Sequence, residues 1–223
     1  MIPPLAVFDL DGTLVDTAAD LIRALNLVLI EEGLGAVTLS DAGALIGAGA
    51  RAMVTRGFRM NGREPTADVL ERTFHRFLAL YAENLTVETR AYPGAVAALD
   101  RFAAGGWRLA VCTNKPEDLS LRLLADLGLL DRFAAVCGGD TFPLRKPDPT
   151  HLLGTIERAG GRRERSVMVG DSLNDIAGAR NTGIPVVAIT HGYTDAPVET
   201  YHPDAVITHF DQLWDAVAGL GLA

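Results

Sequence analysis

The sequence predicts an α/β fold: a parallel-sheet, Rossmann-like core with helices on both faces and an inserted all-helical cap domain. Three observations predict it. Short apolar runs ending in polar residues recur at 5–10, 107–113, 133–138, 166–170 and 184–190. Segments of helical period fall between or after them, at about 94–104, 117–127, 150–160, 174–182 and 210–219. The alternation fails between about 16 and 90, where the pattern is helix only.

Each element follows from this pattern. The apolar runs lack strict alternation, as strands buried on both faces do. Strand, helix and strand in repetition give a parallel sheet with right-handed crossovers. After the first run the helices fall at roughly 17–32, 40–57 and 66–84, separated by the turns Glu32-Gly33-Leu34-Gly35 and Asn61-Gly62-Arg63-Glu64-Pro65. An insert of about 70 residues at that point reads as a cap over the edge of the sheet. The expected division is 1–15 with 91–223 as the Rossmann-like core and 16–90 as the helical cap domain.

Composition narrows the function. The 223 residues carry 20 basic and 28 acidic side chains, a net charge of −8, and 48% are hydrophobic. That suits a folded chain with a substantial core rather than a disordered one. An acidic balance with no basic block argues against nucleic acid or an anionic membrane as partner. No stretch approaches the ~18 apolar residues of a membrane span, and the N-terminus lacks the pattern of a signal peptide. The expectation is a cytoplasmic monomer or homodimer. Cys112 and Cys137 lie in apolar runs at a spacing that fits neither a metal clip nor a redox pair, so both read as buried thiols. Of the basic residues 18 are arginine, and only Lys115 and Lys146 are lysine.

In an open parallel sheet, ligands bind beyond the carboxyl ends of the strands. After the first run come Asp9 and Asp11; after the second, Thr113, Asn114 and Lys115; after the fourth, Asp171, Ser172 and Asp175. Lys146 lies in the loop before the helix that leads to that fourth strand. Each piece alone has a structural reading: an Asp-Gly turn, a helix cap, a rigid proline loop. Their convergence on one side of one sheet favours chemistry.

Two carboxylates at about 4 Å repel by roughly 1 kcal/mol in water and ~4 kcal/mol at an effective dielectric near 20. Four in one cleft therefore call for a cation. Oxygen ligands without a histidine pair or thiolate point to Mg²⁺. With a lysine opposite, and with Thr113 and Asn114 as donors, such a site suits a phosphoryl group. One aspartate can attack phosphorus and form an aspartyl-phosphate, while a second gives and takes the proton.

Four segments carry a resemblance. They are Asp9-Leu10-Asp11-Gly12-Thr13-Leu14-Val15-Asp16, Thr113-Asn114-Lys115, Lys146-Pro147-Asp148-Pro149 and Gly170-Asp171-Ser172-Leu173-Asn174-Asp175. In this order they resemble the motifs of the haloacid-dehalogenase-like hydrolases, over essentially the whole chain. The insert is similar to that superfamily's C1-type cap. Asp16-Thr17-Ala18-Ala19-Asp20-Leu21 and Thr113-Asn114-Lys115-Pro116 look most like the phosphoglycolate phosphatases within it. The resemblance implies Asp9 as nucleophile and metal ligand. It implies Asp11 as general acid/base, with its backbone carbonyl on the metal. Thr113, Asn114 and Lys146 would hold the phosphoryl group, Asp171 would bind Mg²⁺ directly, and Asp175 would act through its waters. Lys115 would face the cap or the substrate.

The implied activity is a Mg²⁺-dependent phosphomonoester hydrolase acting on a small phosphorylated metabolite, first of all 2-phosphoglycolate. A broad-specificity or sugar-phosphate phosphatase is the neighbouring alternative. A dehalogenase lacks the second acid that Asp11 supplies, and a phosphonoacetaldehyde hydrolase needs a cap lysine, of which 16–90 has none. A β-phosphoglucomutase-like isomerase is expected to carry a histidine where this chain has Leu21. A non-catalytic phosphate-binding protein is the reading from another class. Among the cap's basic residues, Arg51 is the expected contact for a substrate carboxylate. It follows the turn Gly47-Ala48-Gly49-Ala50, and a guanidinium suits a carboxylate. His75 reads as an ordinary helix position, and His191 as surface decoration first and a lining of the entrance second. Hinges for cap movement are expected near 15–16 and 91–93.

Overall fold

The structure, a computed structural model, describes residues 2–47 and 49–222. In chain order its elements begin with β1 (Leu5–Phe8), β2 (Val15–Asp16), α1 (Ala18–Glu31), α2 (Ala42–Leu45), α3 (Ala50–Met60), α4 (Ala67–Glu83) and β3 (Arg90–Ala91). They continue with α5 (Ala95–Ala104), β4 (Arg108–Cys112), α6 (Glu117–Asp126), β5 (Ala135–Cys137), α7 (Pro149–Arg158) and β6 (Ser166–Gly170). The chain closes with α8 (Leu173–Thr182), β7 (Val186–Ile189), β8 (Ala205–Ile207) and α9 (Leu213–Gly219).

Six strands form one parallel sheet in the order β5-β4-β1-β6-β7-β8. The four residues of β1 are all fully buried because both faces of the sheet are covered. Leu5 and Val7 pack with Ala110, Met168 and Ala188 against α7 and α8. Ala6 and Phe8 face the other way, toward the side of α5, α6 and α9. Alternate side chains of one strand thus feed two apolar layers. Burying a side chain such as Phe8 contributes roughly 1.5–3 kcal/mol.

All five apolar runs of the sequence become strands, and a sixth, β8, was not foreseen. It has three residues at the edge of the sheet, with Val206 exposed, so it offers no apolar run to detect. The segment expected as one helix over 40–57 is divided. The chain leaves α2 at Ile46 and enters α3 at Ala50, with positive φ at Gly47 (98°) and Gly49 (87°). A continuous helix does not accommodate those values. Ala48 lies outside the described residues.

Helices α1 to α4 lie between β2 and β3, which pair antiparallel as a short ribbon, Val15 with Ala91 and Asp16 with Arg90. Leu25 and Leu29 of α1, Phe58 of α3 and Phe77 of α4 supply the apolar seam of this helical unit. Both cysteines are free and buried, opposite one another across β4 and β5. Among the described residues, no helix is long and apolar enough to cross a membrane.

Candidate active site

Register decides where the polar residues meet. Phe8 lies beside Val111 of β4 and Val169 of β6, so the three central strands end together. The residues that follow them therefore emerge side by side at the carboxyl edge. Asp9 continues the strand by donating its N–H to the Val169 carbonyl at 2.9 Å. The chain then turns at Gly12, with φ of 84°, where a Cβ would stand 2.6 Å from Asp171 Oδ2. No residue with a side chain fits there without displacing that carboxylate.

The structure brings Asp9, Asp11, Thr113, Asn114, Lys146, Asp171 and Asp175 to this edge. Lys146 is buried, and its ammonium donates to Asp175 Oδ1 at 2.6 Å and to the Cys112 carbonyl at 2.5 Å. It also lies 3.0 Å from Asp9 Oδ1. Two of its three hydrogens are thus committed, and the third is left on the side of Asp9. Burial works against the charge of Lys146, yet Asp175 and Asp9 hold its pKa above the ordinary lysine value. Asp175 Oδ2 takes the N–H and hydroxyl of Ser172, closing the first turn of α8. Asn114 donates to the Lys146 carbonyl at 3.0 Å, fastening one motif loop to another.

Asp9, Asp171 and Asp175 each turn a carboxylate oxygen into one cluster within 4.8 Å. Burial first, and then the charge of Asp175, push the Asp9 carboxyl up to about 7, against the Lys146 ammonium and the Leu10 N–H. Asp171 is raised well above the carboxylate range by burial and by Asp175 and Asp9. Two buried acids and the half-buried Asp9 facing one ammonium fit a divalent cation, which would relieve the excess negative charge. The Asp11 carboxylate stands outside this cluster. It meets Lys115 Nζ at 3.1 and 3.2 Å, and Lys115 donates also to Tyr81 Oη of α4 at 2.6 Å.

Several contributors were given no role at the site from the sequence. Thr13 Oγ1 donates to Asp171 Oδ1 at 2.6 Å, and the Tyr193 N–H donates to Oδ2 at 2.7 Å. The Tyr193 hydroxyl reaches the start of the helical unit, accepting from the N–H groups of Thr17 and Ala18 and donating to Asp16. Asp20 of α1 accepts from Glu88 N, Thr89 N, Thr89 Oγ1 and Arg23, tying α1 to the strand that returns from the insert. His191 is half-buried rather than decorating the surface. It stacks on Tyr92 with ring centroids 3.8 Å apart and bonds the Thr13 carbonyl. A buried tyrosine looks alike in sequence whether its hydroxyl serves a hinge or only packs.

Arg51 is not brought to the site. Its guanidinium bonds Glu71 and lies 4.1 Å from the Phe74 ring centre, on an exposed part of the insert. The first turn of α3 directs it along α4 rather than toward Asp9. Arg23, Arg56, Arg59, Arg63, Arg72 and Arg76 each have a carboxylate partner as well. His75 is exposed and bonded to Glu71 at 2.8 Å.

Asp9, Asp11, Lys115 and Lys146 open into a cavity of about 60 Å³ beneath the helical insert. Its wall on that side is apolar: Leu21, Ile46, Met53, Phe77 and Leu78, with Tyr81 the polar exception. Asn174 Nδ2 donates to the Gly47 carbonyl at 2.9 Å, joining the motif on α8 to the turn before α3. The arrangement can hold a phosphoryl group between cation ligands, an ammonium and hydroxyl donors, with a second carboxylate nearby to move a proton.

Known proteins share this design. Residues 6–189 match the haloacid dehalogenase-like hydrolase family. A phosphoglycolate phosphatase of Agrobacterium fabrum is 50% identical over 215 residues, covering 96% of this chain and 92% of that protein. One from Mesorhizobium japonicum is 47% identical over 210 residues, covering 94% and 92%. The crystal structure of a predicted phosphoglycolate phosphatase from Haemophilus somnus superposes with a TM-score of 0.89 at 31% identity, covering 96% of this chain and 98% of that one. The chain belongs to the haloacid dehalogenase-like hydrolases, among which it is a phosphatase similar to phosphoglycolate phosphatases.

Proposed function

We propose that the chain is a Mg²⁺-dependent phosphomonoester hydrolase that acts on 2-phosphoglycolate through an aspartyl-phosphate on Asp9. The observation that carries this reading is the Asp9 carboxylate itself. Its Oδ1 accepts from Leu10 N at 2.7 Å and lies 3.0 Å from Lys146 Nζ. Its Oδ2 accepts no hydrogen bond among the described residues, and Asp9 lines the cavity. One oxygen is held and the other is available to attack.

In the first step Asp9 Oδ2 bonds to phosphorus, the ester P–O bond breaks, and Asp11 gives its proton to the departing oxygen. In the second, Asp11 takes a proton from water, the water oxygen bonds to phosphorus, and the Asp9–phosphorus bond breaks to release phosphate. Lys146 balances the charge of Asp9 and Asp175 throughout. The Thr113 hydroxyl, which accepts the Lys115 N–H at 3.3 Å, keeps its own hydrogen for a phosphoryl oxygen. Asp9 and Asp171 would hold Mg²⁺, with the Asp11 carbonyl and with Asp175 acting through water. The metal supplies stabilisation of the negative charge on the phosphoryl oxygens.

The identities with phosphoglycolate phosphatases support the substrate. The test is a panel of phosphate esters assayed with Mg²⁺ and again with EDTA. Hydrolysis of 2-phosphoglycolate above sugar phosphates and nucleotides, lost with chelator and restored by Mg²⁺, is the expected result. Preference for a sugar phosphate overturns the substrate, and indifference to EDTA overturns the metal.

A further inference from the structure

The cavity presents a mismatch between its wall and the ester proposed for it. A leaving group that bears a carboxylate needs a cation to replace the water it loses on entry. The side of the cavity formed by the helical insert offers Leu21, Ile46, Met53, Phe77 and Leu78, none of which can do so. Arg51 is engaged with Glu71 away from the cavity. Lys146 faces Asp9 and Asp175, where the phosphoryl group is taken up, rather than the leaving-group side. Among the described lining residues, the other cation is Lys115.

Lys115 sits at the junction of the two units of the protein. It follows β4 and is 7% exposed, and its ammonium reaches Tyr81 Oη at 2.6 Å across to α4. Its contacts with Asp11, at 3.1 and 3.2 Å to the two oxygens, are longer than the roughly 2.7–2.9 Å of a well-made charge-assisted bond. The ammonium is shared between both carboxylate oxygens rather than locked to one, and it can turn to another anion. Tyr81 adds a second donor. Its oxygen accepts from Lys115, while its own hydrogen meets no acceptor among the described residues. An ammonium and a hydroxyl on the same wall, at the end of an apolar cavity, form a two-donor cradle for a carboxylate.

We propose that Lys115, with Tyr81, is the specificity-determining anion contact of this site, which therefore takes phosphomonoesters whose leaving group carries a carboxylate. The inference rests on the phosphomonoesterase reading of the site and names the groups that select among esters.

The experiment compares 2-phosphoglycolate with ethyl phosphate, an ester of like size without the carboxylate, in the wild-type protein, Lys115→Met and Arg145→Ala. Arg145 is the rival cation, exposed beside Gly49 in the adjoining cleft. The ratio of kcat/KM for the two esters should fall on the order of 10- to 100-fold in Lys115→Met, as expected for one charged hydrogen bond, and stay within about threefold in Arg145→Ala. The loss should appear mainly in KM for 2-phosphoglycolate. An equal loss on both esters would show that Lys115 only positions Asp11, and it overturns the proposal, as does a loss of selectivity in Arg145→Ala instead. A wild-type protein that hydrolyses both esters equally overturns it while leaving the phosphatase reading intact; one that hydrolyses neither overturns both. Should Lys115→Met fail to fold, inhibition of the wild type decides. The phosphonate 3-phosphonopropionate should bind at least tenfold more tightly than propylphosphonate, and equal binding overturns the proposal.

Discussion

The Lys146 ammonium lies 2.6 Å from Asp175 Oδ1, and both side chains are almost fully buried. This pair is the electrostatic centre of the site, because the same ammonium also neutralises Asp9 and binds the Cys112 carbonyl. Three acceptors converge on one compact group. A planar guanidinium spreads its donors over a wider fork and cannot meet all three from the same place. Lys146→Arg is expected to lose at least about 100-fold in kcat/KM although charge is retained, and overpacking should cost about 1–3 kcal/mol of stability. Steady-state kinetics with a denaturation midpoint check both, and wild-type turnover in this variant would contradict the role given to the ammonium.

Asp9→Asn separates chemistry from folding. Removal of a nucleophile of this kind costs on the order of 10⁴-fold or more in kcat. The fold should not suffer. Burial and Asp175 raise the Asp9 carboxyl to about 7, so its charge is a cost in the metal-free protein. A neutral amide removes that cost, and the melting temperature without metal should equal or exceed that of the wild type. Substantial turnover would remove Asp9 from the nucleophile's role; a collapsed fold would refute the electrostatic reading.

Tyr193→Phe tests the link between the acid cluster and the hinge expected near 15–16. The hydroxyl accepts from Thr17 N and Ala18 N, each at 2.9 Å, and these buried donors would lose their acceptor. The expected cost is about 1–3 kcal/mol. The backbone N–H of Tyr193 still reaches Asp171, so affinity for Mg²⁺ measured by calorimetry should change little while kcat falls as closure of the insert is impaired. Unchanged stability and kcat together would exclude a hinge role.

His151 should make stability depend on pH. Burial, and then the Lys146 charge, lower its pKa from 6.5 to about 4, and its Nδ1 accepts the Lys146 N–H at 3.1 Å. The neutral ring is the folded form. As pH falls from 6.5 toward 4, the unfolded chain binds a proton that the folded chain refuses, so stability falls with it. The loss reaches about 3 kcal/mol by pH 4 and is absent above pH 7. Denaturant titrations across that window should show this slope in the wild type and not in His151→Asn. Parallel pH profiles for the two proteins would rule the linkage out.

The sequence by itself determined the α/β class, five of the six strands of the main sheet, and the gathering of Asp9, Asp171, Asp175 and Lys146. The reason is local. A short buried strand followed by a polar turn places its next residues at the carboxyl edge, and parallel pairing aligns those edges whatever the rest of the chain does. Helix existence in the insert was legible in the same way, because apolar period is a property of a few turns. The break at Gly47 and Gly49 was not, since Gly47 is needed only where the turn meets Asn174 and the Tyr193 carbonyl, and Gly49 only where it meets Arg145.

Only the tertiary structure decided what faces the site from the insert. Arg51 is drawn to Glu71, 20 residues along the chain, and Lys115 meets Tyr81, 34 residues back. Tyr193 reaches Thr17 over 176 residues. Such contacts depend on how two separately packed units come together, and no periodicity or spacing encodes that. Sequence located the phosphoryl end of the cavity because one strand edge builds it; the other end is built by two units at once, and only their packing assigns Lys115, rather than Arg51, to it.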